Sequence, residues 1–290
     1  MTKVVVGKSL RDTDVLWRYM SLDKFIDLVE SNALYFAPLS TYGETDPFEG
    51  YMPRVATQAM ADISRKYRDQ HFEAIEKLER ELSGKVPPEI GHRLKADLQK
   101  LRVQAESHVP TMGALARNIA ACTMVNCWFR SEHESEGMWN LYARNGVAVK
   151  TSVSSMRRAL SNADDQPVVH VGSVKYLDFS NPDLKPGDCV TEDGHLMGMI
   201  KRVAYEHEKE VRMYVARMRP SNCLDLLQPE PMRVSTDVQA MIESVVVSPF
   251  AGTTIERSVR AVCRWSGINE GIVSCSNLLD NCEYLLDAYK

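Results

Sequence analysis

Apolar positions along the first forty residues change their period twice. Residues 15–20 (Val-Leu-Trp-Arg-Tyr-Met) form a mostly apolar run that predicts a short buried strand. Ser21 and Asp23 then suit a helix N-terminus, and Phe25, Ile26, Leu28 and Val29 make an apolar stripe at helical spacing. Asn32 is a left-handed stop, and residues 33–37 (Ala-Leu-Tyr-Phe-Ala) predict a second strand. A turn-rich loop follows from Pro38 to Pro53, with Gly43, Asp46-Pro47 and Gly50.

Residues 54–109 have a different character. Ala56, Met60, Ile63, Tyr67, Ile75, Leu78 and Leu82 recur at helical spacing among many charges. Gly84 and Pro87-Pro88 interrupt the pattern, and Ile90, Leu94, Leu98, Leu101 and Ala105 resume it. This predicts an αα-hairpin inserted into the main body, which serves either as plain packing or self-association, or as a docking element for a protein partner.

Beyond the hairpin the pattern predicts strands over 123–130, 146–151, 168–176, 244–248 and 271–275. Helices are predicted over 154–160, 196–205 and 253–265, with one or two helical turns near 137–143. Short strands interleaved with helices indicate a single α+β domain spanning 1–290, a mixed β-sheet core with flanking helices.

The most informative chemistry lies at 205–212 (Tyr-Glu-His-Glu-Lys-Glu-Val-Arg). Read as a strand, this stretch places Glu206, Glu208, Glu210 and Arg212 on one face and leaves Val211, Met213 and Val215 for the core. Three like charges on one face repel unless a cation covers them or one carboxyl stays protonated. Arg212, Arg18 or a bound ligand are the candidate partners. The plainer alternatives are the wet face of an edge strand, or a solvated helix end with a repulsive Glu206–Glu210 pair and an attractive Glu208–Arg212 pair.

Composition narrows the field. The chain has 290 residues, 44% hydrophobic and 26% charged, as in ordinary globular proteins. No run approaches the ~18 apolar residues of a membrane span. Residues 1–7 lack the apolar core of a signal peptide. Seven scattered cysteines with no Cys-x-x-Cys fit a reducing cytoplasm. A net charge of −4 offers no field that would draw nucleic acid. Neither a Gly-x-Gly-x-x-Gly, a phosphate-binding Gly-rich loop, a His-Glu-x-x-His nor a Gly-x-Ser-x-Gly is present, which argues against Rossmann dehydrogenases, kinases, zinc proteases and α/β-hydrolases. The histidines are isolated, and no metal site is expected.

Several motifs in order resemble a bacterial family called domain of unknown function 2971. They are Leu16-Trp17-Arg18-Tyr19, Leu34-Tyr35-Phe36, Asp46-Pro47-Phe48-Glu49, residues 138–143 (Met-Trp-Asn-Leu-Tyr-Ala) before Gly146-Val147, Glu208-Lys209-Glu210-Val211-Arg212, and residues 245–249 (Val-Val-Val-Ser-Pro). That label implies no reaction. The opening strand–helix–strand unit, with Arg18 on its first strand, is also similar to the start of ADP-ribosyltransferase-like folds. Arginine-modifying members of that superfamily carry a late Glu-x-Glu, matched here by Glu208-Lys209-Glu210; Thr151-Ser152 is a loose counterpart of their Ser-Thr-Ser strand.

That second resemblance implies a nucleotide ligand, NAD, used as a substrate. Glu210 would stabilise positive charge on the ribose and hold its hydroxyls, and Glu208 would orient or deprotonate an acceptor. Arg18 would bind the pyrophosphate beside Tyr19. Trp139 and Tyr142, three apart on a helical turn, could stack a ring, or simply be core. Asp46 and Glu49 are supporting residues, and the plainer reading of residues 46–49 is turn chemistry with one of the two tied to Arg18 or Arg212. Two other classes fit the same residues: a metal-dependent phosphodiesterase with Asp46, Glu49, Glu208 and Glu210 around Mg²⁺, and a non-enzymatic sensor acting through the hairpin.

Overall fold

A computed structural model describes residues 4–83, 85–161, 167–195, 198–217, 230–282 and 285. The elements, in chain order, are β1 (Val4–Val6), β2 (Val15–Ser21), α1 (Leu22–Ser31), β3 (Ala33–Pro38), α2 (Arg54–Leu82), α3 (Pro88–Cys122) and β4 (Thr123–Arg130). Then follow α4 (Glu136–Tyr142), β5 (Gly146–Ser152), α5 (Val153–Ser161), β6 (Val169–Ser173), β7 (Lys175–Leu177), β8 (Ile200–Arg202) and a 3-10 turn (Val203–Glu208). The last are β9 (Glu210–Ala216), β10 (Met232–Ser235), α6 (Val238–Met241), β11 (Ser244–Val247), α7 (Thr253–Trp265) and β12 (Val273–Cys275).

The main sheet runs β1-β6-β9-β4-β2-β5-β11-β12, with β3 added to β4 and β10 to β3. Its edges pair in parallel (β1 with β6, β11 with β12) and its middle is antiparallel, so the α+β expectation holds. Strict alternation divides the side chains. Leu16 and Met20 of β2, Val147 and Val149 of β5, and Val211, Met213 and Val215 of β9 face a large core covered by α1, α5, α6 and α7. Trp17, Tyr19, Phe129, Ala148 and Val246 face the opposite way and pack under α4.

The β2–α1–β3 unit forms the feature that matters most for function. Both strands pair antiparallel with β4, but at opposite ends of it. Leu16 and Trp17 pair with Arg130 and Phe129, whereas Ala37 and Pro38 pair with Val125 and Met124. Beside residues 126–128 the two strands therefore stand apart, and the sheet is forked. The side chain of Asn126 spans part of the gap, donating to the Tyr35 carbonyl at 2.9 Å and accepting from the Trp128 indole at 2.7 Å.

Several sequence expectations are corrected. Ser21 sits at the N-cap position of α1 without a side-chain cap bond, whereas Asn32 takes the left-handed conformation expected of it (φ 46°). The hairpin's second helix passes its expected end at 109 and continues through Pro110 to Cys122. The strand expected over 168–176 is two, β6 and β7, in different sheets. The helix expected over 196–205 is instead β8 and the start of the 3-10 turn, with 196–197 outside the described residues. No helix among the described residues is long and apolar enough to cross a membrane.

Candidate functional site

The 205–212 stretch is not one strand. Residues 203–208 form the 3-10 turn, and Lys209 takes a left-handed conformation (φ 39°) that reverses the chain into β9 at Glu210. Glu206 is thereby turned out to solvent and leaves the set. Glu208 and Glu210 still meet, because the turn folds Glu208 back over the start of β9.

Like-charge repulsion is resolved by two cations. Arg212, buried on β9, donates to both oxygens of Glu210 at 2.8 and 3.0 Å and to Glu49 at 3.0 Å. It also donates to the carbonyl of Gly198, whose φ of 77° and close approach to Leu39 and Thr123 suit only glycine. Lys201 of β8 lies 2.5 Å from Glu208, 3.5 Å from Glu210 and 3.6 Å from Glu49. Burial would raise the Glu210 carboxyl, but Arg212 and Lys201 outweigh it and hold it down at about 2. Burial would likewise lower Lys201, yet the three surrounding carboxylates raise it above its ordinary value. Three carboxylates meet two cations, so the cluster keeps one net negative charge.

This cluster closes one end of a cavity of about 1090 Å³, at the upper limit of the ~300–1,000 Å³ usual for small-molecule sites. Glu208 is its most approachable carboxylate. One of its oxygens accepts from the Tyr142 hydroxyl at 2.9 Å and the other from Lys201. Burial, then the Glu208 charge, raises the Tyr142 phenol, so it stays a donor.

Arg18 lines the same cavity. Alternation points it toward the α1 side, with Leu16 and Met20, and the fork between β2 and β3 opens that side to the cavity. Its guanidinium lies 5.9 Å from the Trp128 ring centre, with no carboxylate in ion-pair range and no hydrogen bond to a described residue. Burial holds its pKa below the ordinary value, only partly offset by Cys127 and Tyr42 nearby. A desolvated cation without a partner is costly unless a ligand supplies the anion.

The other sequence candidates fall as follows. Tyr19 reaches the cavity wall, but its hydroxyl is taken by the Ser135 amide at 2.8 Å. Trp139 is fully buried; its ring meets Tyr19 edge-on at 4.8 Å and its indole donates to Glu134 at 2.7 Å. It is core rather than a stacking platform, because α4 turns that face onto the sheet. Thr151 is also buried, bonded to the Met241 carbonyl. Asp46 pairs with Arg202 at 2.6 Å rather than with Arg18 or Arg212, while Glu49 does pair with Arg212. Among the described residues no group of three His, Cys, Asp or Glu side chains is arranged to hold a metal ion.

Sequence reasoning missed Lys201, whose segment reads as helix and carries no charge pattern that links it to 208–210. It also missed Cys127, whose thiol lies beside Glu210 and is pushed up first by burial and then by the Glu210 charge. Its pairing opposite Arg212 could be inferred only with the β4–β9 register in hand. No family model, curated protein or solved structure matches this chain.

Proposed function

We propose that the cavity binds NAD and that the protein breaks its nicotinamide–ribose bond, as an ADP-ribosyltransferase-like enzyme. The observation that carries this reading is the sharing of one cavity by Arg18, a guanidinium with no ion pair among the described residues, and a carboxylate cluster with net negative charge at Glu208 and Glu210. The two poles match the two charges of such a substrate: an anionic pyrophosphate and a cationic pyridinium ribose.

In the reaction the C1′–N bond breaks and its electron pair neutralises the pyridinium, releasing nicotinamide. Positive charge grows on the ribose, and the adjoining carboxylates stabilise it. An acceptor hydroxyl, amine or water then bonds to C1′ and gives its proton to Glu208. Glu210, gripped on both oxygens by Arg212, acts by its field and by fixing the cluster. Arg18 binds the pyrophosphate. The test is nicotinamide release from labelled NAD by the wild type, Glu208→Gln and Arg18→Ala. Release by Glu208→Gln at the wild-type rate would remove the assignment.

The hairpin supports a second role beside the first, self-association or docking of a protein partner. Ile63, Tyr67, Leu101 and Val103 leave apolar surface open along it. The thiols of Cys122, Cys189 and Cys263 are buried and free, which fits a reducing cytoplasm.

A further inference from the structure

The cavity has a second end, away from the carboxylates, that the reaction does not use. Across the fork from Arg18 its wall is formed by Tyr35 of β3 and Arg233 of β10, two strands paired residue for residue at that point. The Tyr35 ring remains 44% exposed. Arg233 lies 5.8 Å from the ring centre and is itself anchored. Asp27 of α1 accepts from it at 2.8 and 2.9 Å, and Ser31 at 3.1 Å. Those bonds use three of the five guanidinium N–H groups.

We infer that this end is a purine-binding subsite, in which the adenine of the dinucleotide stacks on Tyr35 and accepts a hydrogen bond at a ring nitrogen from Arg233. The inference rests on the NAD reading for the identity of the base, but not for the existence of the subsite. Three observations carry it. An exposed aromatic ring on a strand is a rigid stacking surface for any base. Arg233 is held in place yet keeps donors to spare. The polarity of the cavity also orders the ligand: the cationic pyridinium belongs at the net-negative cluster and the phosphates at Arg18, which leaves the neutral purine to the aromatic end, where Asp27 balances the Arg233 charge.

The subsite is tested by titrating wild type, Tyr35→Ala, Tyr35→Phe and Arg233→Ala with ADP-ribose, AMP, GMP and nicotinamide mononucleotide. Both residues are well exposed, so the variants should fold, as melting curves will verify. Tyr35→Ala is expected to weaken ADP-ribose and AMP about 10-fold, from loss of one base–aromatic stack. Tyr35→Phe should keep wild-type affinity, and nicotinamide mononucleotide should bind all variants alike. Preference for GMP over AMP would retain the subsite and remove NAD as its ligand. Adenine-nucleotide binding that depends on Tyr35, without nicotinamide release from NAD, would leave the subsite standing and overturn the reaction. If ADP-ribose and AMP fail to bind the wild type, or bind Tyr35→Ala and Arg233→Ala equally well, the subsite is wrong.

Discussion

Arg212 grips both oxygens of Glu210 from two positions along the same strand, at 2.8 and 3.0 Å, and both side chains are buried. Removing Glu210 leaves the Arg212 charge with Glu49 as its one carboxylate, a loss toward the lower end of the about 3–5 kcal/mol of a broken buried pair. Glu210→Met is therefore expected to destabilise the fold by that order in urea denaturation. Glu210→Met with Arg212→Met should recover part of the loss, since the pair leaves together. An additive double variant would show that the two are not coupled.

The same network sets a pH dependence. The Glu210 carboxyl lies at about 2 in the fold against an ordinary 4.5. Its contribution is thus fully present above about 4.5 and lost as pH falls toward 2, on the order of 3 kcal/mol. Lys201 is shifted the other way, so its contribution is complete below its ordinary value of 10.5 and is lost only at higher pH. Denaturation midpoints between pH 6 and pH 2 should show a steeper acid decline in the wild type than in Glu210→Gln.

Arg18 should behave in the opposite sense to Arg212. It is half-buried and has no ion pair among the described residues, so Arg18→Met is expected to leave stability within about 1 kcal/mol or improve it. Affinity for ADP-ribose should fall at least about tenfold, because a charge-assisted pair to phosphate is lost. Melting temperatures with and without the nucleotide read both effects in one experiment. A large stability loss with unchanged binding would make Arg18 structural.

The hairpin's apolar surface predicts concentration-dependent association. Sedimentation velocity of the wild type should show a species larger than the monomer. Leu101→Glu, at a position 47% exposed, should return it to monomer without lowering the melting temperature. A monomeric wild type at all concentrations would leave the surface to a different partner.

Local pattern was enough to find most elements here, because strands such as Val15–Ser21 and Thr123–Arg130 and the helix Thr253–Trp265 carry strong periodicity and adjacent stop signals. It was enough to single out Glu208 and Glu210, because clustered charges beside an apolar run demand partners, while Arg18 came from the resemblance of the opening strand–helix–strand unit. The partners themselves were settled by register and chain reversal. Lys201 reaches the carboxylates from a short strand with no distinctive spacing. Lys209 reverses the backbone so that Glu208 meets Glu210 without sharing its strand. Trp139 reads more readily as core than as platform, and α4 laid on the sheet makes it core.

The α+β class, the long helical hairpin and the presence of an acidic cluster in need of neutralising were all legible in the residues. Those follow from local periodicity and from the cost of like charges side by side. Only the tertiary structure decided which cation neutralises which carboxylate, and which is left over. Arg212 and Lys201 are consumed inside the cluster. Arg18 is left in a cavity without an ion pair among the described residues, because β2 and β3 meet β4 at opposite ends and hold the sheet open between them.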